Sequence, residues 1–245
     1  MSYSLILCEG ETDQALIGCY MEKVYKWIYD KKYSNDSNNP FPKENISWYN
    51  VDSNNIKGIW QIGGHSFSDA IKEIIEREKH EHVVERIAII TDHDDVEDAE
   101  IERINVLKKD ISSFIGKKSE DIILSKNKWE INTFPNDFSE SKIQMLYLLV
   151  PLDEIGALET FMMDAISEQN EDKQYVIEKS KEFVNNFESD TYLTKRREKI
   201  KAELGISLSV FSPDRIFTTM KELIDSVAWD EFSTSHKQFE LLKEC

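Results

Sequence analysis

The sequence is short of cysteine, of metal-spaced histidine and of positive charge, and each shortage removes a class of protein. Its three cysteines, Cys8, Cys19 and Cys245, form no C-x-x-C pair and no even framework, which argues against a disulfide scaffold and against a structural zinc site. Reduced thiols point to the cytoplasm. The histidines (His65, His80, His82, His93 and His236) make no H-E-x-x-H pattern. Thirty Lys and Arg face 47 Asp and Glu, a formal net charge of −17, so a broad basic surface for duplex DNA or anionic lipid is not expected. A local basic groove or a site built from carboxylates remains compatible with that balance. The longest apolar stretch, Met145 to Leu152, falls far short of the ~20 residues that span a bilayer, so no membrane association is expected. The first residues carry no basic segment and their apolar run stops at Glu9, so they do not read as a signal peptide.

What is present is a foldable chain. Hydrophobic residues make up 40% of the 245 positions, enough for a real core and too many for a disordered chain. The length predicts one large domain or a core with an appendage. Ser4 to Cys8 reads as a short buried strand cut off by Glu9-Gly10. Thr12 is placed to N-cap a helix with apolar positions at Ala15, Leu16, Cys19, Tyr20, Val24 and Ile28. Residues 34–55 are rich in Asn and Ser and read as a loop around a strand at Ile46 to Val51. Ile59 to Ile62 reads as a strand closed by Gly63-Gly64, a plain turn rather than a phosphate-approach loop. A helix is expected over Ser66 to His82, a buried strand over Arg86 to Thr91, and a helix near Ala99 to Ile115. Ile122 to Phe134 and Ile143 to Pro151 look extended, separated by Pro135-Asn136-Asp137, and a helix opens around Asp153 to Glu159 and runs through Ile166. Beyond Gln169 the pattern is mainly helical, with a basic helix at Lys195 to Leu204, one more strand at Ile206 to Phe211, and two amphipathic helices in the last stretch. Strands alternating with helices predict an α/β fold, a mostly parallel sheet flanked by helices, with a helical C-terminal extension.

Active groups in such sheets gather at the carboxyl ends of strands, and here two buried strands end in acids: one in Glu9, the other in Asp92 and Asp94. Asp13 lies one turn beyond Glu9 and can face the same crevice. Asp92 and Asp94, two apart in extended chain, point to one side. Glu159 sits just inside a helix after Gly156. Each acid has a bland reading. A lone strand-end Glu is usually solvated, a D-x-D is common in an acidic chain, and Asp95, Glu97 and Asp98 suit a helix N-terminus. Together they suit a hard divalent cation, Mg2+ or Mn2+, one or two ions, which takes oxygen ligands and in phosphodiester hydrolysis polarises the phosphate and activates water. Gathering five carboxylates without a cation is costly, because like charges raise one another's pKa.

The joint pattern carries a resemblance. Leu5-Ile6-Leu7-Cys8-Glu9-Gly10-Glu11-Thr12-Asp13 resembles the first motif of TOPRIM domains, and Ile87-Ala88-Ile89-Ile90-Thr91-Asp92-His93-Asp94 resembles the second. With Gly156-Ala157-Leu158-Glu159, the chain looks most like the OLD (overcoming lysogenization defect) branch of nucleases. The resemblance covers a TOPRIM (Rossmann-like) core at residues 1–165, with residues 166–245 as a helical part packed on it and carrying the basic helix. It implies a metal-dependent nuclease acting on DNA or RNA, with Glu9, Asp13, Asp92, Asp94 and Glu159 as metal ligands. A late lysine near the scissile phosphate is also implied, for which Lys201 is favoured over Lys195 and Lys199. Lys195, Arg196, Arg197, Lys199 and Lys201 form the densest phosphate-binding patch in the chain, or else a solvated helix face. Long OLD proteins carry an ABC-type ATPase ahead of the TOPRIM domain. This chain has no G-x-x-x-x-G-K-[ST] loop, so the resemblance implies a stand-alone nuclease or the partner of a separate ATPase subunit, as in phage-defence pairs. The C-terminal amphipathic helices permit a homodimer.

Two other readings compete. A TOPRIM core can be a non-catalytic binding or regulatory subunit of a larger complex, which the acidic surface would suit. Asp92-His93-Asp94-Asp95-Val96 also fits the haloacid-dehalogenase phosphatase signature. That motif normally lies on the first strand of its domain, and the phosphatase reading leaves Glu9 unexplained.

Overall fold

The computed structural model describes residues 2–33, 39, 41, 45–52, 55–78, 83–93, 99–135, 140–189, 191–215 and 220–245. Asp94, the Pro135-Asn136-Asp137 turn beyond Pro135, His80 and His82 lie outside the described residues.

The first strand, β1 (Ser2–Cys8), leads into α1 (Glu11–Tyr25). A two-residue β2 (Ile28–Tyr29), β3 (Ile46–Asp52) and β4 (Asn55–Gln61) follow, then α2 (Phe67–Glu78), β5 (Val83–Asp92) and α3 (Ala99–Ile115). Next come β6 (Trp129–Pro135), β7 (Glu140–Val150) and five helices: α4 (Leu158–Ser167), α5 (Glu171–Asn185), α6 (Arg196–Phe211), α7 (Met220–Asp225) and α8 (Ser233–Phe239). The strands form one seven-stranded sheet in the order β2-β3-β4-β1-β5-β7-β6. The central run β4-β1-β5-β7 is parallel, and the two flanks join it antiparallel. The expected α/β class with a mostly parallel sheet is therefore what the chain forms.

The central strands are apolar almost without a break because both of their faces are covered. Side chains alternate across β1. Ile6 and Cys8 face α1 and the C-terminal helices, in a cluster with Leu16, Ile17, Leu204, Trp229 and Phe239. Leu5 and Leu7 face α2 and α3, with Ile71, Ile74, Ile104 and Ile111. Each such aliphatic side chain contributes roughly 1.5–3 kcal/mol by leaving water. The helical chain after residue 165 thus shares the core of the sheet. Gly58 on β4 is a packing requirement: a Cβ there would stand 2.6 Å from Leu5 Cδ2 and 2.9 Å from Trp48. Gln14 ties α1 to the sheet, its Nε2 donating to the Asn45 and Ile59 carbonyls at 3.0 and 2.6 Å. Among the described residues, no helix is long and apolar enough to cross a membrane.

Three local expectations need correction. Gly10, not Thr12, is the N-cap of α1. Ile28 is not on that helix: Lys26 adopts the left-handed conformation (φ 59°), its N–H donates to the Met21 carbonyl, and the helix ends there. Ile28 pairs instead with Asn50 in β2, at the exposed edge of the sheet. Residues 206–211 are not a strand but the last turns of α6. Their alternation Ile-Ser-Leu-Ser-Val-Phe has a strand's period, yet burial follows Leu204, Ser207 and Leu208, at helical spacing, against α4 and α5. Ser207 and Ser209 fit a helix by donating their hydroxyls to the Glu203 and Gly205 carbonyls at 2.9 and 2.8 Å.

Candidate active site at the carboxyl end of the sheet

β1 and β5 are neighbours in the sheet, but the helices that follow them lie on opposite faces, α1 with the first core cluster and α3 with the second. Their carboxyl ends therefore flank a topological switch point, where a crevice opens in folds of this kind. Glu9 follows β1 and Asp92 ends β5, so adjacent strands deliver the two acids to the same edge.

The backbone around each acid is pinned. The Cys8 and Glu9 carbonyls accept from Ile62 and Gly63 N–H at 2.9 and 3.1 Å, which folds the turn after β4 against the end of β1. Gly63 and Gly64 both have positive φ (60° and 86°), so that turn needs glycine. In the first turn of α1, Asp13 Oδ2 accepts from Gly10 N–H at 3.0 Å. Asp92 Oδ1 accepts from Leu158 N–H, the first amide of α4, at 3.2 Å. α4 is brought there by Gly156, whose N–H donates to the His93 carbonyl at 2.8 Å. A Cβ on Gly156 would press on Thr160 at 2.9 Å and Pro151 at 3.0 Å. Glu159, the residue after Leu158, pairs with Lys201 Nζ at 3.6 Å. His93 engages both ring nitrogens, Nδ1 with the Pro151 carbonyl at 3.2 Å and Nε2 with Glu100 at 3.1 Å, which makes it a neighbour of the acids rather than a ligand.

The acids feel one another. Burial raises the Asp13 carboxyl to about 7, with the charges of Asp92 and Glu9 adding to the shift and the Gly10 amide opposing it. Burial likewise raises Asp92 to about 6; Glu9 adds to it, the Leu158 amide opposes it, Glu159 pushes up and Arg197 pulls down. Beneath them the fully buried Cys8 thiol is pushed upward by burial first, then by Asp13 and Glu9, so it is no nucleophile. Four of the expected acids, Glu9, Asp13, Asp92 and Glu159, thus belong to one electrostatic neighbourhood; the fifth, Asp94, lies outside the described residues. They are not a finished cage. Among the described residues, no group of three or more His, Cys, Asp and Glu is placed to hold a metal ion; Asp13, Asp92 and Glu159 each have one oxygen turned toward a donor of the protein. The donor chemistry, hard carboxylate oxygen, is still what magnesium or manganese takes.

The basic patch divides. Lys201 reaches Glu159, and Arg197 acts on Asp92. Lys195 and Arg196 are exposed at the head of α6, and the half-buried Lys199 acts on Glu203. One cation escaped the sequence reading: Arg103 on α3, whose Nη1 lies 3.4 Å from both Thr91 Oγ1 and the Asp92 carbonyl. Its signal was its place one turn into the helix after the second motif, the logic that picked out Asp13 after the first. Beside the acids opens a cavity of about 720 Å³ between α2 and α3, with Glu9 and Thr91 at the strand ends, Tyr147 inside β7 and Arg197 among its lining residues.

The chain belongs to a family described as "Protein of unknown function (DUF3226)", whose model matches residues 3–242. No curated protein matches it. Among solved structures it is similar to the crystal structure of hypothetical protein PH0156 from Pyrococcus horikoshii OT3, with 14% identity, 100% of this chain and 99% of that chain covered, and a TM-score of 0.48.

Proposed function

We propose that the protein is a divalent-metal-dependent phosphodiesterase acting on nucleic acid, of the TOPRIM type that the first and second motifs resemble. The observation that carries the reading is the meeting of Glu9, Asp13 and Asp92 at the switch point, where burial and then the charges of Asp92 and Glu9 raise Asp13 to about 7, and burial and then the charges of Glu9 and Glu159 raise Asp92 to about 6. A cluster that resists its own ionisation is one that a cation would stabilise. Glu9 and Asp92, with Asp13, Asp94 and Glu159 beside them, are the residues that would hold magnesium or manganese. When bound, such an ion supplies Lewis-acid polarisation of the phosphate and activation of water. The chain's own part is positioning. The Gly10 and Leu158 amides fix the directions of Asp13 and Asp92, while Arg197, Arg103 and Lys201 bring positive charge to where a phosphate would lie.

The test is cleavage of single-stranded DNA and RNA oligonucleotides by the purified protein with manganese. Glu9→Gln and Asp92→Asn are each expected to lower the rate by at least 100-fold with melting temperature not lowered. Equal cleavage by the Glu9→Gln/Asp92→Asn double variant and the unaltered protein would remove the reading. A second reading, a non-catalytic binding or regulatory subunit, is favoured by the unassembled state of the acids among the described residues. It predicts no turnover with any divalent ion, and co-purification with a partner such as a separate ATPase.

A further inference from the structure

The cleft between α2 and α3 changes character along α3. Arg103, in the first turn of α3, lies against the Asp92 carbonyl at 3.4 Å. One turn further on, Val106 and Leu107 line the cleft, facing it together with Phe67 from the head of α2. A turn beyond them Asp110 lines it too, its Oδ2 accepting from the Ser68 hydroxyl at 3.3 Å. Arg103 and Asp110 are seven residues apart, so roughly 10 Å of helix separates a cation at the acidic edge from a carboxylate at the far end. Glu9 and Glu102 line the cavity beside Arg103 and Arg197, so the order is an end carrying both signs of charge, an apolar wall, and a hydrogen-bond acceptor.

We infer that this cleft takes a single unpaired nucleotide whose base carries an exocyclic amino group. The phosphate would lie toward Arg103, Arg197 and the strand ends, the ring against Phe67, Val106 and Leu107, and the amino group on Asp110. The inference rests on the phosphodiester reading of the adjoining acids and adds what that reading lacks, the unit recognised. A cavity of about 720 Å³ is of the size that encloses one small ligand, about 300–1,000 Å³. Its apolar walls suit a ring face, which any base offers. Selectivity falls to Asp110, because a carboxylate accepts from an amino group such as the cytosine N4, while the uracil and thymine O4 positions offer only acceptors. A base held in a duplex would have to be flipped out of the stack to enter, at a cost of a few kcal/mol, so a single strand or a free end is the expected substrate.

The experiment is calorimetric titration of the whole protein with 5′-AMP and with 5′-UMP, once in EDTA and once with calcium. AMP is expected to bind at least fivefold more tightly than UMP. Asp110→Asn should abolish that preference, and Val106→Glu, at an exposed helix position, should weaken both nucleotides at least tenfold without lowering the melting temperature. No binding of either nucleotide under both conditions would overturn the inference, and so would binding indifferent to both substitutions. Hydrolysis of bis(p-nitrophenyl) phosphate with manganese, a substrate without a base, reads the phosphodiester chemistry by itself. Its absence beside a clear AMP preference would remove the hydrolase reading and leave the cleft assignment supported. Its presence without nucleotide binding would do the reverse.

Discussion

Asp13 is the residue whose surroundings say most about the site. Its carboxyl is raised to about 7 by burial, then by Asp92 and Glu9, against 3.8 for an ordinary aspartate. A carboxyl whose pKa is higher folded than unfolded favours folding while protonated, and that advantage is lost as pH rises from about 4 through about 7. With EDTA present, the protein is therefore expected to be more stable at pH 5 than at pH 8 so far as Asp13 is concerned. Asp13→Asn keeps an acceptor for the Gly10 amide and removes the charge. It should raise the melting temperature at pH 8 and leave it nearly unchanged near pH 4, with a ceiling of about 4 kcal/mol set by about three pKa units. Manganese should stabilise the unaltered protein at pH 8 more than the variant. Differential scanning calorimetry of both proteins across pH reads these differences directly, and an equal pH profile for the two would show that Asp13 ionises freely.

At the level of elements, the close approach of β4 to β1 depends on Gly58. Overpacking at such a site typically costs about 1–3 kcal/mol, so Gly58→Ala is expected to lower the unfolding free energy by that order, read as a lower urea midpoint with the slope unchanged. The same strands explain what was legible in the sequence. Runs such as Leu5-Ile6-Leu7 and Ile87-Ala88-Ile89-Ile90 are continuous because two layers cover them, and the acid that ends each run marks where burial stops. Strand ends and their acids could thus be located from local pattern. Ile28 and residues 206–211 could not, since a left-handed turn at Lys26 and the packing of α6 on α4 and α5 decide them, and neither is written in the periodicity of the segment itself. Arg103 was missed for a related reason. The role proposed for it depends on standing over the Asp92 carbonyl, a tertiary contact made by a residue whose sequence neighbours look like any amphipathic helix. The five-residue basic patch was found from composition, but only the fold separates Arg197 and Lys201, which reach the acids, from Lys195 and Arg196 at the helix head.

For the whole molecule the net charge of −17 opposes a polyanion, so on the proposed reading a strand would be held only by the few cations beside the cleft. Few cations are then engaged, and affinity for a single strand should fall with salt at a slope of about −0.7 per phosphate contact. With Arg103, Arg197 and Lys201 engaged, a log–log slope of about −2 is expected for an oligonucleotide, reduced by about 0.7 in magnitude in Arg197→Ala. A slope steeper than about −5 in fluorescence anisotropy titrations would place the binding surface elsewhere. The amide of Leu158 that holds Asp92 bears on this architecture in another way. That amide opens α4, and α4 packs against both α5 and α6, the helix that carries Arg197 and Lys201. The helical layer therefore both rests on the acid, through α4, and supplies its countercharge, through α6. Any displacement of α4 away from β5 would stretch the Leu158–Asp92 bond and let the Asp92 carboxyl rise further, because that amide is one of the groups holding it down.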